Sequence, residues 1–179
     1  LVPDEDQGTV FVNVSTAAGS SLATTNEVMD RVESRLMGIP QVAHVQKVAG
    51  YGLLAGQGSS FGMLVLKLKD WSERPKDEDN VQAVIGQIYG RTADIKDASI
   101  FAISPGMIPG YGMGNALELH MQDKMGGEVT DFFATTQQYL GALNQRPEIA
   151  MAYSSFDVRY PQWTVEVDPA KCKRAGITP

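Results

Sequence analysis

A single cysteine, Cys172, stands in 179 residues. No disulfide framework can form within the chain, and no multi-cysteine zinc site either. Two histidines, His44 and His120, leave little for a histidine-rich metal centre. No apolar run approaches the ~18 to 20 residues of a membrane span, and no charged-then-apolar leader opens the sequence. Positive charge is in short supply: Lys and Arg number 15 against 21 Asp and Glu, a net charge of −6. A nucleic-acid binder carries a basic face, so that class of partner is disfavoured. The 43% of apolar residues suffices for a buried core, and the 20% of charged residues is too ordinary for a disordered acidic tail. The length suits one domain or two small ones. The chain begins at Leu1 and stops just past a predicted helix end, so a segment of a longer protein is expected.

The first hundred residues alternate clearly between strand and helix periods. After an acidic, turn-like start, Val10, Val12 and Val14 alternate with Phe11, Asn13 and Ser15 over residues 9–16, the pattern of a half-buried strand. Thr24-x-x-Glu27 reads as a capping box. Val28, Met29, Val32 and Leu36 form the stripe of a helix ending near Gly38 and Pro40. A second strand is predicted over 42–48, with Val42, His44, Gln46 and Val48 on one face. Residues 50–60, GYGLLAGQGSS, read as a glycine-rich loop. A third strand over 61–68 sets Met63, Val65 and Lys67 opposite Leu64, Leu66 and Leu68. A second helix over 78–92 carries Val81, Val84, Ile85 and Ile88 at i, i+3, i+4 and i+7. A fourth strand over 98–104 divides Ile100 and Ala102 from Ser99, Phe101 and Ile103. The order β-α-β-β-α-β predicts an α+β fold of the ferredoxin-like kind. Two helices then cover one face of an antiparallel sheet, and the other face meets water, a partner or a ligand.

A Gly/Pro/Met linker, PGMIPGYGMG, follows over 105–114. A strand over 117–121, a helix over 127–144 and a strand over 149–156 restart the β-α-β order. In the helix, Val129, Phe132, Phe133, Thr136, Leu140 and Leu143 are predicted inward. This predicts an incomplete second β-α-β unit, a repeat of architecture and not of sequence. A strand over 162–167 and a short helix over 169–175, closed by Gly176, complete the reading.

Motifs for covalent chemistry are missing: there is no G-x-S-x-G, H-E-x-x-H, Walker loop or kinase set. An enzyme is therefore not expected, nor any cofactor or metal. Residues 50–55 match G-x-G-x-x-[GA], yet the next predicted element is a strand and not a helix whose N-terminus would hold a pyrophosphate. Gly50, Gly52, Gly56 and Gly58 instead suit a mobile loop with apolar tips. The sequon at Asn13 lies in a strand and is discounted. Cys172 sits between Lys171 and Lys173 without a histidine near in sequence, so it reads as structural. Asp77, Glu78 and Asp79 at a helix start read as charges complementing the helix dipole. What remains is the uncovered sheet face. Phe11, Asn13, Phe101 and Ile103 share it by period, and Tyr51, Leu53 and Leu54 could fold over it. These residues either pack against the neighbouring unit or line an apolar cleft suited to lipophilic molecules.

Several motifs resemble one family. These are Glu5-Asp6-Gln7-Gly8 with Ala18-Gly19, the loop GYGLLAGQG, the run Leu68-Lys69-Asp70-Trp71-Ser72-Glu73-Arg74-Pro75, and Ile95-Lys96-Asp97-Ala98. Arg146-Pro147-Glu148, residues 161–168 and Ala175-Gly176-Ile177 also fit. Together they resemble the second periplasmic half of resistance-nodulation-division (RND) efflux transporters, in the hydrophobe/amphiphile multidrug branch, over essentially the whole chain. The resemblance implies a porter subdomain at 1–109, a partial second porter subdomain at 110–156 and the start of a docking subdomain at 157–179. It implies substrate binding at Phe11, Asn13, Tyr51, Leu53, Leu54, Phe101 and Ile103, and a moving loop at Gly50, Gly52, Gly56 and Gly58. The loop is about one residue longer than the family pattern, and Leu53 and Ile103 stand where an aromatic is expected.

For the intact protein the resemblance implies a homotrimer in a Gram-negative inner membrane. This portion would lie in the periplasm, working with a periplasmic adaptor and an outer-membrane channel. Proton-driven export of lipophilic and amphiphilic compounds follows, without ATP hydrolysis; proton coupling resides in membrane helices that this chain lacks. Two rival readings stand beside it. A heavy-metal exporter of the same superfamily would need Met63, Met107 and Met113 to converge as soft ligands. A soluble tandem ferredoxin-like module would bind a small ligand or a regulatory partner.

Overall fold

The computed structural model of the chain describes residues 5–53, 55–106, 117–149, 151–158 and 165–178. Four strands, β1 (Thr9–Thr16), β2 (Val42–Gly52), β3 (Gly56–Leu68) and β4 (Ala98–Ile103), form one antiparallel sheet in the order β2-β3-β1-β4. Helix α1 (Leu22–Leu36) carries the chain past the site of β3, so β2 lands one strand away from β1 and β3 returns through the gap. Helix α2 (Val81–Thr92) makes the equivalent crossing over β1 to deliver β4 to the edge. The chain is thus α+β, with helices and an antiparallel sheet.

Period-two alternation builds the core. Val10, Val12 and Val14 of β1, Leu64, Leu66 and Leu68 of β3, and Ala102 of β4 are all buried. Val28, Met29, Val32 and Leu36 of α1 and Val81, Val84 and Ile88 of α2 pack on that face. Among the described residues, every member of this buried apolar cluster lies between Val10 and Ala102. A free strand edge would attract another chain. At β4 that hazard is reduced by α2: the Tyr89 hydroxyl accepts from the Ala102 N–H at 3.0 Å and donates to its carbonyl at 3.3 Å.

The start of α1 differs from expectation. Ser21, not Thr24, is the cap, and its hydroxyl oxygen accepts the Thr24 N–H at 3.1 Å. The longer helix brings Thr25 into the core, where it is fully buried. The Thr16 hydroxyl gives its one proton to the Ser60 carbonyl at 3.1 Å, so Thr25 donates to Thr16 at 2.9 Å. Ser21→Ala is expected to cost about 1 kcal/mol, read as a lower urea midpoint with an unchanged slope. Helix α2 likewise begins at Val81, capped by Asn80, because residues 77–79 form a separate 3-10 turn.

Two expectations about β2 and the glycine-rich segment are corrected. Val42 pairs with Leu68 but His44 pairs with Lys67, so one extra residue bulges out and Val42 faces opposite to His44. The segment 50–60 is not an open loop. Tyr51 pairs with Gln57 and Gly52 with Gly56, so a long hairpin runs up to Gly52 and back from Gly56, with Leu53 and Ala55 at its tip. Glycine there does not end the ladder. Gly50 and Gly56 turn it, at φ +78° and +77°, angles that side chains with a Cβ resist.

The acidic start is locked to the segment before α2. Arg74, only 2% exposed at its side chain, forms a forked pair with the Asp6 carboxylate at 2.8 and 3.2 Å. It also donates to the carbonyls of Lys69 at 2.7 Å and Asp79 at 3.0 Å. Asp6 in turn accepts the N–H groups of Gly8 at 2.7 Å and Val81 at 2.9 Å, and Trp71 Nε1 donates to its carbonyl at 3.0 Å.

Beyond residue 116, α3 (Val129–Leu143) and α4 (Pro169–Ala175) match their predicted positions, and Gly176 closes α4 at φ +73°. Thr136 is buried, and Phe132, Phe133, Leu140 and Leu143 are half-buried, but Val129 is exposed. Phe156 packs against Phe132 in a tilted contact and against Phe133 edge-on, with ring centroids 5.6 and 5.9 Å away. Asn144 exchanges two hydrogen bonds with the Ala152 backbone at 2.9 and 2.7 Å. The strands predicted over 117–121 and 149–156 do not form in the described residues, and 165–167 is irregular as well. Alternation alone does not make a strand: its N–H and C=O groups need a neighbouring strand, and none lies beside these segments among the described residues. The linker from 107 onward and residues 162–164 lie outside the described residues.

Candidate functional site

The sheet face away from the helices carries the candidate site. Register fixes its rows. Ile103 of β4 lies opposite Phe11 of β1, which lies opposite Val65 of β3. One row along, Phe101 lies opposite Asn13, which lies opposite Met63. Directly opposed residues share a face, so the four positions grouped from sequence, Phe11, Asn13, Phe101 and Ile103, stand together. Phe11, Met63, Val65, Phe101 and Ile103 are each half-buried, and Asn13 is 6% exposed.

The hairpin of β2 and β3 bends back over this face. The Leu53 N–H donates to Asn13 Oδ1 at 2.7 Å, across 40 residues of sequence. Leu53 is half-buried and Tyr51 is exposed at 38%. Leu54, also expected at the site, lies outside the described residues. Gly50 and Gly52 fall in β2, and Gly56 and Gly58 in β3. From the far part of the chain, Tyr153 brings its ring to 5.9 Å from that of Phe101. Sequence reasoning places Met63 and Val65 on the right face without assigning them to the site. It misses Tyr153, whose approach carries no local signal.

The chemistry of this surface is largely apolar, with one buried amide, Asn13, and one exposed amide, Gln46, on β2 opposite Val65. No carboxylate, ammonium or guanidinium stands in the two rows, and the first charged position is Lys67, opposite His44 at the next step outward. Such a wall is suited to contacts that exclude water from aromatic and aliphatic groups, with Asn13 as the buried polar side chain and Gln46 as an exposed one at its edge. It offers neither a nucleophile nor a base. The G-x-G-x-x-A segment leads into β3 and not into a helix, so it lacks the strand-to-helix turn of a dinucleotide fingerprint.

The remaining candidates lie elsewhere. His44 is exposed on β2, and His120 is exposed with Nε2 3.5 Å from Glu118. Cys172 is half-buried on α4. Among the described residues no group of three or more His, Cys, Asp or Glu converges as metal ligands. Met63 is on the apolar face, while Met107 and Met113 lie outside the described residues. No helix in the described residues is long and apolar enough to cross a membrane.

Comparison with known proteins adds a sharper finding. The sequence pattern of the AcrB/AcrD/AcrF family matches residues 1–179. The solvent-resistant pump membrane transporter SrpB of Pseudomonas putida is 29% identical over 180 residues, covering 99% of this chain and 17% of SrpB. The toluene efflux pump membrane transporter TtgB, also of Pseudomonas putida, gives the same identity and the same shares. The multidrug export protein AcrF of Escherichia coli is 26% identical over 181 residues, again covering 99% of this chain and 17% of its own length. The chain therefore spans about one-sixth of the length of these relatives.

Proposed function

The chain belongs to the AcrB/AcrD/AcrF family of RND efflux transporters, and from that membership we propose that it forms the part of a proton-driven multidrug pump that takes up and passes on substrate. The observation that carries this reading is the uncharged, half-buried face around Phe11, Asn13, Phe101 and Ile103, bridged by the Leu53 hairpin tip. The β-α-β-β-α-β unit with sheet order β2-β3-β1-β4 is then a ferredoxin-like porter subdomain over residues 1–109. Residues 110–156 contribute the first part of a second porter subdomain, and 157–179 begin the docking subdomain. Lipophilic and amphiphilic compounds bind the cleft between the two porter units on the periplasmic side of the inner membrane. No covalent step is involved. The intact protein works as a homotrimer with a periplasmic adaptor and an outer-membrane channel. Relatives named for solvent, toluene and multidrug export favour the hydrophobe/amphiphile branch.

Passage requires the hairpin tip to lift from β1 and return. Gly52 and Gly56 pair across the last rung before the tip, and Gly56 needs a positive φ that proline cannot adopt. In cells producing the full-length transporter, Gly52→Pro and Gly56→Pro are expected to bring efflux of a lipophilic dye down towards that of cells without the pump. Membrane abundance is measured in parallel. Unchanged efflux from abundant variant would sink the moving-hairpin part of this reading.

A further inference from the structure

Asn13 carries an unresolved demand for a partner. Its Oδ1 is occupied by the Leu53 N–H at 2.7 Å, yet its Nδ2 is shielded from solvent and has no hydrogen-bond partner. Such a buried, unmet donor costs free energy, and native proteins keep few of them. The orientation of the amide is fixed by chemistry: exchanging its oxygen and nitrogen would set a donor against the Leu53 donor. The free group is therefore an N–H. It lies in the row between Met63 and Phe101, which have no competing acceptor in their side chains apart from a weak thioether.

We propose that Asn13 is a specificity-determining donor, which gives Nδ2–H to a carbonyl or ether oxygen of an amphiphile bound on this face. The inference rests on the proposed substrate cleft and names which substrates it prefers. The same side chain does two things. Oδ1 ties the hairpin tip to β1, and Nδ2 is buried while that tie is made. Lifting the tip breaks one hydrogen bond and uncovers the donor. A ligand with an acceptor offsets that loss, whereas a hydrocarbon covers the donor and leaves it unmet. Discrimination by a buried polar group left unpaired is stronger than discrimination by shape in an apolar wall.

The test compares two compounds of one carbon skeleton, ethylbenzene without an acceptor and acetophenone with a carbonyl. Efflux of each is measured from cells producing the full-length transporter, as the ratio of variant to parent, so that partitioning cancels. Asn13→Leu removes the Oδ1 tie to Leu53 as well as the donor, and loss of the tie acts on both compounds alike, so the reading is their ratio. Acetophenone efflux is expected to fall roughly 3- to 10-fold relative to ethylbenzene, the worth of one neutral hydrogen bond. Asn13→Ala, which removes the donor without adding another, gives the same fall in that ratio should the Leu variant fail to reach the membrane. Phe101→Ala is the control for the face itself and is expected to lower both compounds. If the Asn13 variants shift both compounds equally or neither, while Phe101→Ala lowers both, the donor role is overturned and the cleft reading stands. If Phe101→Ala also changes neither compound, the cleft reading falls and the donor role falls with it.

Discussion

Replacing Arg74 by Met is expected to destabilise the chain by about 3 kcal/mol, because it strands the Asp6 carboxylate without its cation. The figure sits at the low end for a broken buried pair, since the Asp6 side chain keeps 21% of its surface in contact with solvent. Two further carbonyls, of Lys69 and Asp79, lose their guanidinium donor at the same time. Asp6→Asn keeps a single acceptor oxygen, which can serve Gly8 or Val81 but not both, because the two N–H groups bond different carboxylate oxygens. It also leaves the buried Arg74 without a counter-charge, so its cost is expected to be comparable. The double variant should fall well short of the sum, as for any pair sharing one network. Equilibrium urea unfolding of the 179-residue chain measures all three. Acid gives an independent check. Burial alone pushes the Asp6 carboxyl up, but the Arg74 guanidinium and the N–H groups of Gly8 and Val81 outweigh it and hold it below its ordinary 3.8. A group whose folded value is depressed contributes stability above its unfolded value and loses it as pH falls through the folded one. The parent should thus lose stability as pH falls below about 4, and Asp6→Asn should show a flatter profile there. The exposed pairs Arg31–Asp97 and Arg35–Asp94 lie on the surface and are damped by about 0.5 M salt, to which the buried clasp responds little.

This clasp marks where sequence reasoning stops. The runs around Asp6 and Arg74 each carry a family resemblance, yet nothing in either predicts that they meet across 68 residues. Elements with a strong period are legible: the inward Val10, Val12 and Val14, the inward Leu64, Leu66 and Leu68, and the stripe on α2 occupy the expected faces. Because period two fixes sides, the grouping of Phe11, Asn13, Phe101 and Ile103 on one face is legible too. What fails has a physical cause each time. Glycines at 50–58 suggest an open loop, but flanking residues still pair, so the ladder runs on to Gly52 and resumes at Gly56. Thr24-x-x-Glu27 looks like a cap, but the buried Thr25 needs a helix already begun, and Ser21 begins it. The extra residue at Ala43 inverts Val42 relative to His44, and no composition signal marks a bulge of that kind. The Leu53–Asn13 tie and the Phe101–Tyr153 contact join residues far apart in sequence, which local patterns do not encode.

Gly62 is the second place where one atom should matter. It sits inside β3, opposite Val14, where a glycine ordinarily weakens a strand. The structure supplies the reason. A Cβ built there would lie 2.1 Å from Met29 Sδ, 2.8 Å from its Cε and 3.0 Å from its Cγ. Met29 is fully buried on α1, so the helix lies against the sheet over bare backbone at this point. Gly62→Ala is therefore expected to cost about 1–3 kcal/mol by overpacking, the reverse of the gain that alanine usually brings to an exposed strand. Met29→Ala alone leaves a cavity and costs about 2–5 kcal/mol. Combined, the added methyl enters space the thioether has vacated, so the double variant should be more stable than the sum of the two losses by roughly 1–3 kcal/mol. Urea midpoints of the four proteins decide it. Strict additivity would mean that Met29 swings aside freely, and that the fit of α1 to β3 does not depend on the absence of a side chain at residue 62. A strong coupling would identify the helix–sheet contact as the rigid base from which the hairpin beyond Gly62 extends towards the apolar face.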